Sequence, residues 1–521
     1  MPLPVRTPNT LPLTAAEQSD YARTSLHADV MAFIDQLRTQ CEQRGDQRLR
    51  VSHFGHTPQG RELPLLVLSE QGYFTPQAAH ASGLPVVLLM CGIHAGEVEG
   101  KEAGLMWVRD LLAGQVQGAG NVLAQLTLVV VPLFNADGND AISASNRPLD
   151  LAHFTGQCGP DSGVGTRNTA AGINLNRDYM RQQALEMRLL QARVAQPWNA
   201  HLTIDCHATN GSIHRYALSY DIPHLAQSGR IEPINYMRQH LLPAVQAAVK
   251  SSEGLDTFWY GNFLRDEGGQ GMGWITYTHH PRFGGNYRGL TNRLDLLLET
   301  YSYQSFEDRV LATYAFVRES LLYVAAHGAP IVAMLADCQM PPQEVAIRYR
   351  LEAFAGAQVS ILTRSPYTLS GAPITVAVPH IGRFVAQGLV LRPWAYAVPG
   401  HVGDHLERHG LVVQRHPSAM RSPPRMQVQI ATVGETVRTA GRDILEANAS
   451  SYTQAVYAAS LRVLPDGWCI VCTEQQRGAI AVYLCEAESD DGLVACGLID
   501  APEVGAEFPA WRVLHAVPER G

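Results

Sequence analysis

Residues 84–112 read LPVVLLMCGIHAGEVEGKEAGLMWVRDLL, and the order of elements within this stretch decides the architecture. Leu84–Met90 is an unbroken apolar run, the pattern of an interior parallel strand covered on both faces. EVEGKEAGLMWVRDLL then reads as a helix, and TLVVVPLF (127–134) as the next strong strand. Strand, helix and strand in this order predict an α/β sheet with helical crossovers. Such a sheet offers a ligand crevice beyond the C-terminal ends of its strands.

Outward from this unit, residues 17–41 form an amphipathic helix in prospect, with Val30, Phe33, Ile34 and Leu37 on one side. RLRVSHFG (48–55) and ELPLLVLS (62–69) read as strands, NADG (135–138) as a turn, and 156–172 as a long surface loop. RQQALEMRLLQARVA (181–195) reads as a helix, followed by the short strand HLTIDCH (201–207), the apolar segment Leu294–Glu299 and a long helix near Phe306–Ala326. A first domain is therefore expected over residues 1–325. Residues 326–521 change character, with short β-like runs between glycines and prolines: APITVAVP, RMQVQIATVG, CIVCTE and AIAVYLCE. They are expected to form a β-rich accessory region, with a division near Pro417–Arg425.

At 521 residues the chain exceeds one ordinary hydrophobic core. An apolar content of 46%, a charged content of 17% and a net charge of -8 fit a compact protein without a nucleic-acid-binding face. No apolar stretch reaches membrane-spanning length, so no membrane partner is expected. The opening MPLPVRTPNTLPLTAAEQSD does not read as a secretory signal. Cytoplasmic localisation is the default expectation, which a leader removed ahead of this numbering would change. The nine scattered cysteines exclude a disulfide-stapled scaffold. Cys469 and Cys472 form a CxxC, but WCIVCTEQ alternates like a strand and no second pair follows, so they read as core cysteines.

His94 and Glu97, in CGIHAGEVEG, and His207, in HLTIDCHATN, each follow an apolar run. Two imidazoles and one carboxylate are the ligand set expected of one catalytic zinc with a position left for water. Asp205, two residues before His207, is placed to orient a ligand or to make a strand-end hydrogen bond.

Taken in order, these motifs resemble the zinc metallocarboxypeptidases, the M14 or carboxypeptidase A-like family, over approximately residues 25–325. The family's HxxE appears as His94–Glu97, its Asn-Arg pair as Asn176-Arg177 in GINLNRDY, its later histidine as His207 and its catalytic glutamate as Glu299 in LLLETYSY. The resemblance implies a mixed central sheet flanked by helices, and Asn176 and Arg177 binding a substrate carboxylate through charge-assisted hydrogen bonds. It further implies Arg167 stabilising the oxyanion, with Arg147 as the alternative, and Glu299 moving protons for zinc-activated water. A substrate-contacting tyrosine is expected at Tyr277 or Tyr287. His279 and His280 line the same loop, while Arg282, Arg288 and Arg293 recognise an acidic substrate or brace that loop. Gly96 departs from the digestive enzymes, which often carry a substrate-binding arginine there, so a specialised peptide or amide is the expected substrate.

Two further readings stand beside this one. The first is a zinc-dependent acyl-amino-acid amidohydrolase resembling succinylglutamate desuccinylase or aspartoacylase. The second is an inactive peptide-binding scaffold. The expected partner of the enzyme readings is a peptide or acyl-amino-acid carrying a carboxylate; oligomeric state is not encoded in any motif.

Overall fold

The computed structural model describes residues 11–116, 122–265, 271–415, 425–439 and 450–516. Its first half contains β1 (Leu49–His56), β2 (Glu62–Leu68), β3 (Val86–Cys91), β4 (Thr127–Val131), β5 (Leu202–Thr209), β6 (Leu218–Asp221), β7 (Thr257–Trp259), β8 (Asn262–Arg265), β9 (Gly271–Ile275) and β10 (Leu294–Tyr301). Eight of them form one sheet in the order β1-β2-β4-β3-β5-β10-β6-β7. The inner β4, β3, β5 and β10 are parallel neighbours, while β1, β2 and β6 pair antiparallel. This is the mixed α/β sheet expected. β3 and β5 are buried along their whole length, which is why their sequences carry no alternation.

The helix Glu99–Leu112 crosses the sheet at close range, and small residues make this approach feasible. A Cβ on Gly100 would lie 2.4 Å from the Cβ of Cys206 on β5, and one on Gly104 would lie 3.1 Å from Cys91 Sγ on β3. The helix is buried on nearly every side, so its charged residues have internal partners. Glu102 accepts from Thr24 Oγ1 at 2.8 Å and from the Ser25 backbone at 2.7 Å. Lys101 donates to Asn139 Oδ1 at 2.6 Å. The expected N-terminal helix spans His27–Arg44 and buries Val30, Phe33, Ile34 and Leu37.

The second half adds β11 (Glu344–Ser365), β12 (Ala372–Leu391), β13 (Ala395–Pro399), β14 (Val413–Arg415), β15 (Arg425–Thr439), β16 (Ser450–Val463), β17 (Trp468–Cys472) and β18 (Trp511–Ala516). The long β11–β12 hairpin joins β9 and β8 in a four-stranded sheet, through His380 opposite Trp274. The remaining six strands form a third sheet, β14-β17-β13-β18-β15-β16. Leu88 of β3 and Tyr483 belong to one continuous apolar cluster. The β-rich region is thus sewn onto the first sheet by both backbone pairing and core packing.

Three local readings differ from the structure. AIAVYLCE is not a strand: Gly478–Cys485 is a helix, buried throughout. A short run apolar on every side shows no periodicity by which helix and strand separate. NADG is more than a turn, because the Asn135 side chain accepts from Gly138 N at 3.0 Å and caps the short helix Ala136–Asp140. The 181–195 helix starts only at Leu185, since the Asp178 carboxylate binds the backbone N–H groups of Gln183 and Ala184 ahead of it. Residues 417–424, most of the stretch read as a division, lie outside the described residues. No single helix among the described residues is long and apolar enough to cross a membrane.

Candidate active site

Strand ends deliver the chemistry. β3 ends at Cys91, and Gly92, with φ +71°, turns the chain so that His94–Glu97 crosses the sheet edge. β5 and β10 run parallel beside it, placing His207 opposite Glu299 in register. His94 Nδ1 lies 3.1 Å from Glu97 Oε1, His207 Nδ1 3.0 Å from Glu97 Oε2, and the two Nδ1 atoms 3.2 Å apart. All three side chains are buried.

The outer nitrogens show what this triangle is for. His94 Nε2 faces Asn174 Oδ1 at 3.1 Å, and that oxygen also accepts from Asn176 N, so it is an acceptor. His207 Nε2 lies 3.3 Å from Asp205 Oδ1. The Asn174 contact assigns a proton to His94 Nε2, while Asp205 faces His207 Nε2 as a charge neighbour; the two Nδ1 atoms point inward toward the Glu97 carboxylate. Two imidazole nitrogens and a carboxylate converging in this way form a donor set for a cation. A tetrahedral zinc with bonds of about 2.0–2.1 Å holds two nitrogens about 3.3–3.4 Å apart, close to the separation found here. The His94, Glu97 and His207 cluster is thus geometrically compatible with a single zinc ion, and Asn174 and Asp205 hold its imidazoles in orientation. Burial lowers the His94 imidazole to about 3, whereas at His207 Asp205 and Glu97 outweigh burial and raise it well above its ordinary value.

Arg147 and Arg167 both donate to Glu97 Oε1, at 3.0 and 2.9 Å. Gly96 explains how: a Cβ there would lie 2.8 Å from Arg147 Cδ and 2.9 Å from Gly165 O. The departure from an arginine at that position is what admits Arg147 from another loop. Burial opposes ionisation of Glu97, but His94, His207 and Arg147 hold its carboxyl well below the carboxylate range. Glu299 behaves oppositely: burial, with Glu97 adding, pushes it up to about 8 against the pull of His207 and Arg167.

The segment spanning residues 30–208 matches the zinc carboxypeptidase model, Peptidase M14. This segment belongs to the M14 zinc carboxypeptidase family. It contains all three metal-ligand candidates together with Arg147, Arg167, Asn176 and Arg177, and supports a metal-dependent hydrolase. No curated protein matches the sequence. Among solved structures, the chain is similar to a metallo-carboxypeptidase from Burkholderia cenocepacia, at 18% identity over 58% of this chain and 69% of that one, with a TM-score of 0.39. A metallo-carboxypeptidase from Pseudomonas aeruginosa gives 15%, 58%, 69% and 0.39. Bovine thrombin-activatable fibrinolysis inhibitor, solved with tick carboxypeptidase inhibitor, gives 13%, 59%, 98% and 0.41.

Around the M14 ligand set, Arg177 is a cation without a carboxylate. Its guanidinium lies 3.5 Å from the centre of the Phe283 ring and donates to Asn176 O at 2.6 Å, and no ion pair involves it among the described residues. Burial, with Arg167 and Arg282 nearby, lowers it to about 9. Asn176 Oδ1 accepts from Gly284 N at 2.8 Å, tying the Asn-Arg segment to the Phe283 loop.

The two tyrosines part company. Tyr277 packs near His224 and Phe283, with ring centroids at 4.5 and 5.6 Å. Burial and the charges of Asp221, Asp295 and Glu299 raise its hydroxyl, which puts it in the neighbourhood of the glutamate. Tyr287 is not brought to the site. The GGNYRG segment forms the helix Gly284–Gly289, which turns Tyr287 into the core, where its hydroxyl meets His409 Nδ1 at 2.8 Å.

The loop arginines act as braces. Arg288 binds Asp205 at 2.8 Å, Tyr179 Oη at 2.7 Å and Asp295, so it supports the residue behind His207. Arg282 pairs with Asp491 at 2.8 Å, and Arg293 donates to Asn199 Oδ1 at 3.2 Å. Asn174 and the contact of Arg288 with Asp205 escaped the sequence reading. The GINLNRD motif was the one local signal for Asn174; nothing local tied Arg288 to Asp205.

Proposed function

We propose that the chain is a zinc-dependent metallocarboxypeptidase that hydrolyses a peptide or amide bond next to a free carboxylate. The observation carrying this reading is Arg177, a partly buried guanidinium with no ion-pair partner among the described residues, near the family's metal-ligand set. Zinc, when held by His94, Glu97 and His207, would supply a Lewis acid and an acidified water.

The chain's own groups account for the rest. Arg177 grips the substrate carboxylate through paired hydrogen bonds, and the Asn176 amide adds a donor. Glu299 accepts a proton from the attacking water at its carboxylate and passes one to the departing amine. A group raised into the neutral range suits both transfers. Arg167 faces the charge that develops on the scissile oxygen, and Tyr277 contacts the substrate. Residues 1–325 carry these groups, and 326–521 serve as the accessory region.

N-blocked dipeptides with free and amidated C-termini, together with N-acyl amino acids, test the reading on zinc-loaded protein. Cleavage of the free-acid peptides alone is expected. Equal rates on amidated peptides would refute carboxylate recognition, and turnover confined to N-acyl amino acids would replace this reading with the amidohydrolase.

A further inference from the structure

Outside the active site, His279, His280 and Asp490 each offer one nitrogen or oxygen, and these atoms lie within 4.8 Å of one another. The three side chains are 6%, 1% and 2% exposed. They come from two distant parts of the chain: the loop after Tyr277, and the segment following the helix Gly478–Cys485. The two imidazoles stack, with centroids 4.4 Å apart and planes at 26°, which lets adjacent residues turn their edges the same way.

Asp490 and His280 are each held from outside the trio, and His279 contacts Asp490 directly. Asp490 Oδ2 meets His279 Nε2 at 2.7 Å, while Asp490 Oδ1 accepts from Tyr483 Oη at 2.7 Å. His280 Nδ1 meets Thr278 Oγ1 at 2.5 Å. Within this trio, His280 Nε2 is buried and has no hydrogen-bond partner among the described residues. Buried ring nitrogens are almost always satisfied, and an orphan is a mark of a missing ion or water. The Thr278 contact accommodates the proton on Nδ1, which leaves Nε2 as a lone pair.

We propose that His279, His280 and Asp490 bind a second divalent ion, zinc, which pins the C-terminal region to the active-site loop. Two imidazoles and a carboxylate are zinc donors, and Tyr483 and Thr278 play the part of outer contacts that hold ligands in place. The three ligands are nearly enclosed and join two distant parts of the chain, with the fourth position left to a water. Next to it, Asp491 holds Arg282 through both the side chain and the backbone N–H at 2.8 Å, extending the same seam.

The test is metal content. Full-length protein is loaded with zinc, desalted, and its zinc measured per chain by mass spectrometry, with circular dichroism as the folding control. Two ions are expected for the natural chain. His280→Asn keeps a polar atom for Thr278 but removes Nε2 with the rest of the ring, so, when folded, it should hold one ion, as should Asp490→Asn. His94→Asn should lose the other ion and keep this one. An ion kept by His94→Asn and lost by His280→Asn supports the second site even where the first proves empty. A single ion lost by His94→Asn and kept by His280→Asn overturns it, as do two ions retained by folded His280→Asn.

Discussion

Replacing Arg177 with Met separates a binding residue from a structural one, because the two roles predict opposite changes in stability. In the free protein this guanidinium is held without a carboxylate, and its pKa falls from 12.5 to about 9. That shift corresponds to roughly 5 kcal/mol against the charged form, as an order of magnitude. Met removes the charge and keeps a sulfur against the Phe283 ring. It also forfeits the hydrogen bond to Asn176 O, worth about 1.5–3 kcal/mol for a charged donor. The difference leaves Arg177→Met more stable than the natural chain by about 2–3.5 kcal/mol, with a thermal midpoint raised by several degrees. Binding should move the other way. Losing one side of a desolvated charge pair costs about 2–5 kcal/mol, so kcat/KM for a free-acid dipeptide should fall by about 30- to 5,000-fold. Rates on amidated substrates should change little. Thermal melts and paired kinetics measure both. A variant that melts lower while retaining kcat/KM would show that Arg177 is a framework residue, and the carboxylate assignment would fall with it.

Three other outcomes are expected. Glu299→Gln should lower kcat by about 10²–10⁴ while zinc content by mass spectrometry is unchanged; near-normal turnover would exclude it from proton transfer. Asp205→Asn weakens the hold on His207 and leaves Arg288 short of a partner, so zinc affinity measured by chelator competition should drop about 10–100-fold. Asp221 is buried against Thr276 Oγ1 at 2.5 Å, and burial raises its pKa from 3.8 to about 7. An acid raised on folding contributes its full stability below pH 3.8 and loses it as pH rises towards 7, by about 4 kcal/mol at most. Asp221→Asn should therefore match the natural chain near pH 4 and exceed it progressively up to pH 8 in urea melts. A pH-independent difference would contradict this.

Much of the fold was legible because its signals are local. The unbroken apolar runs of β3 and β5 and the alternation of strand with helix are properties of neighbouring residues. The HxxE pair is equally local, three residues apart at a strand end. What stayed hidden depends on long-range docking. Arg288 meets Asp205 across 83 positions and His279 meets Asp490 across 211, with no pattern linking either pair. The helix Gly478–Cys485 was illegible for another reason: buried on all sides, its sequence has no face to display. Tyr287 misled through its glycines, which build a helix here and not a mobile approach to the site.

The seam between the two halves bears on how this protein can be handled at the bench. A polypeptide ending at residue 325 would strip Asp490 from His279 and Asp491 from Arg282, and bare the apolar surface that Val345, Tyr396 and Tyr483 cover. Shortening the gene to the recognisable enzyme segment would yield aggregates instead of a minimal catalyst.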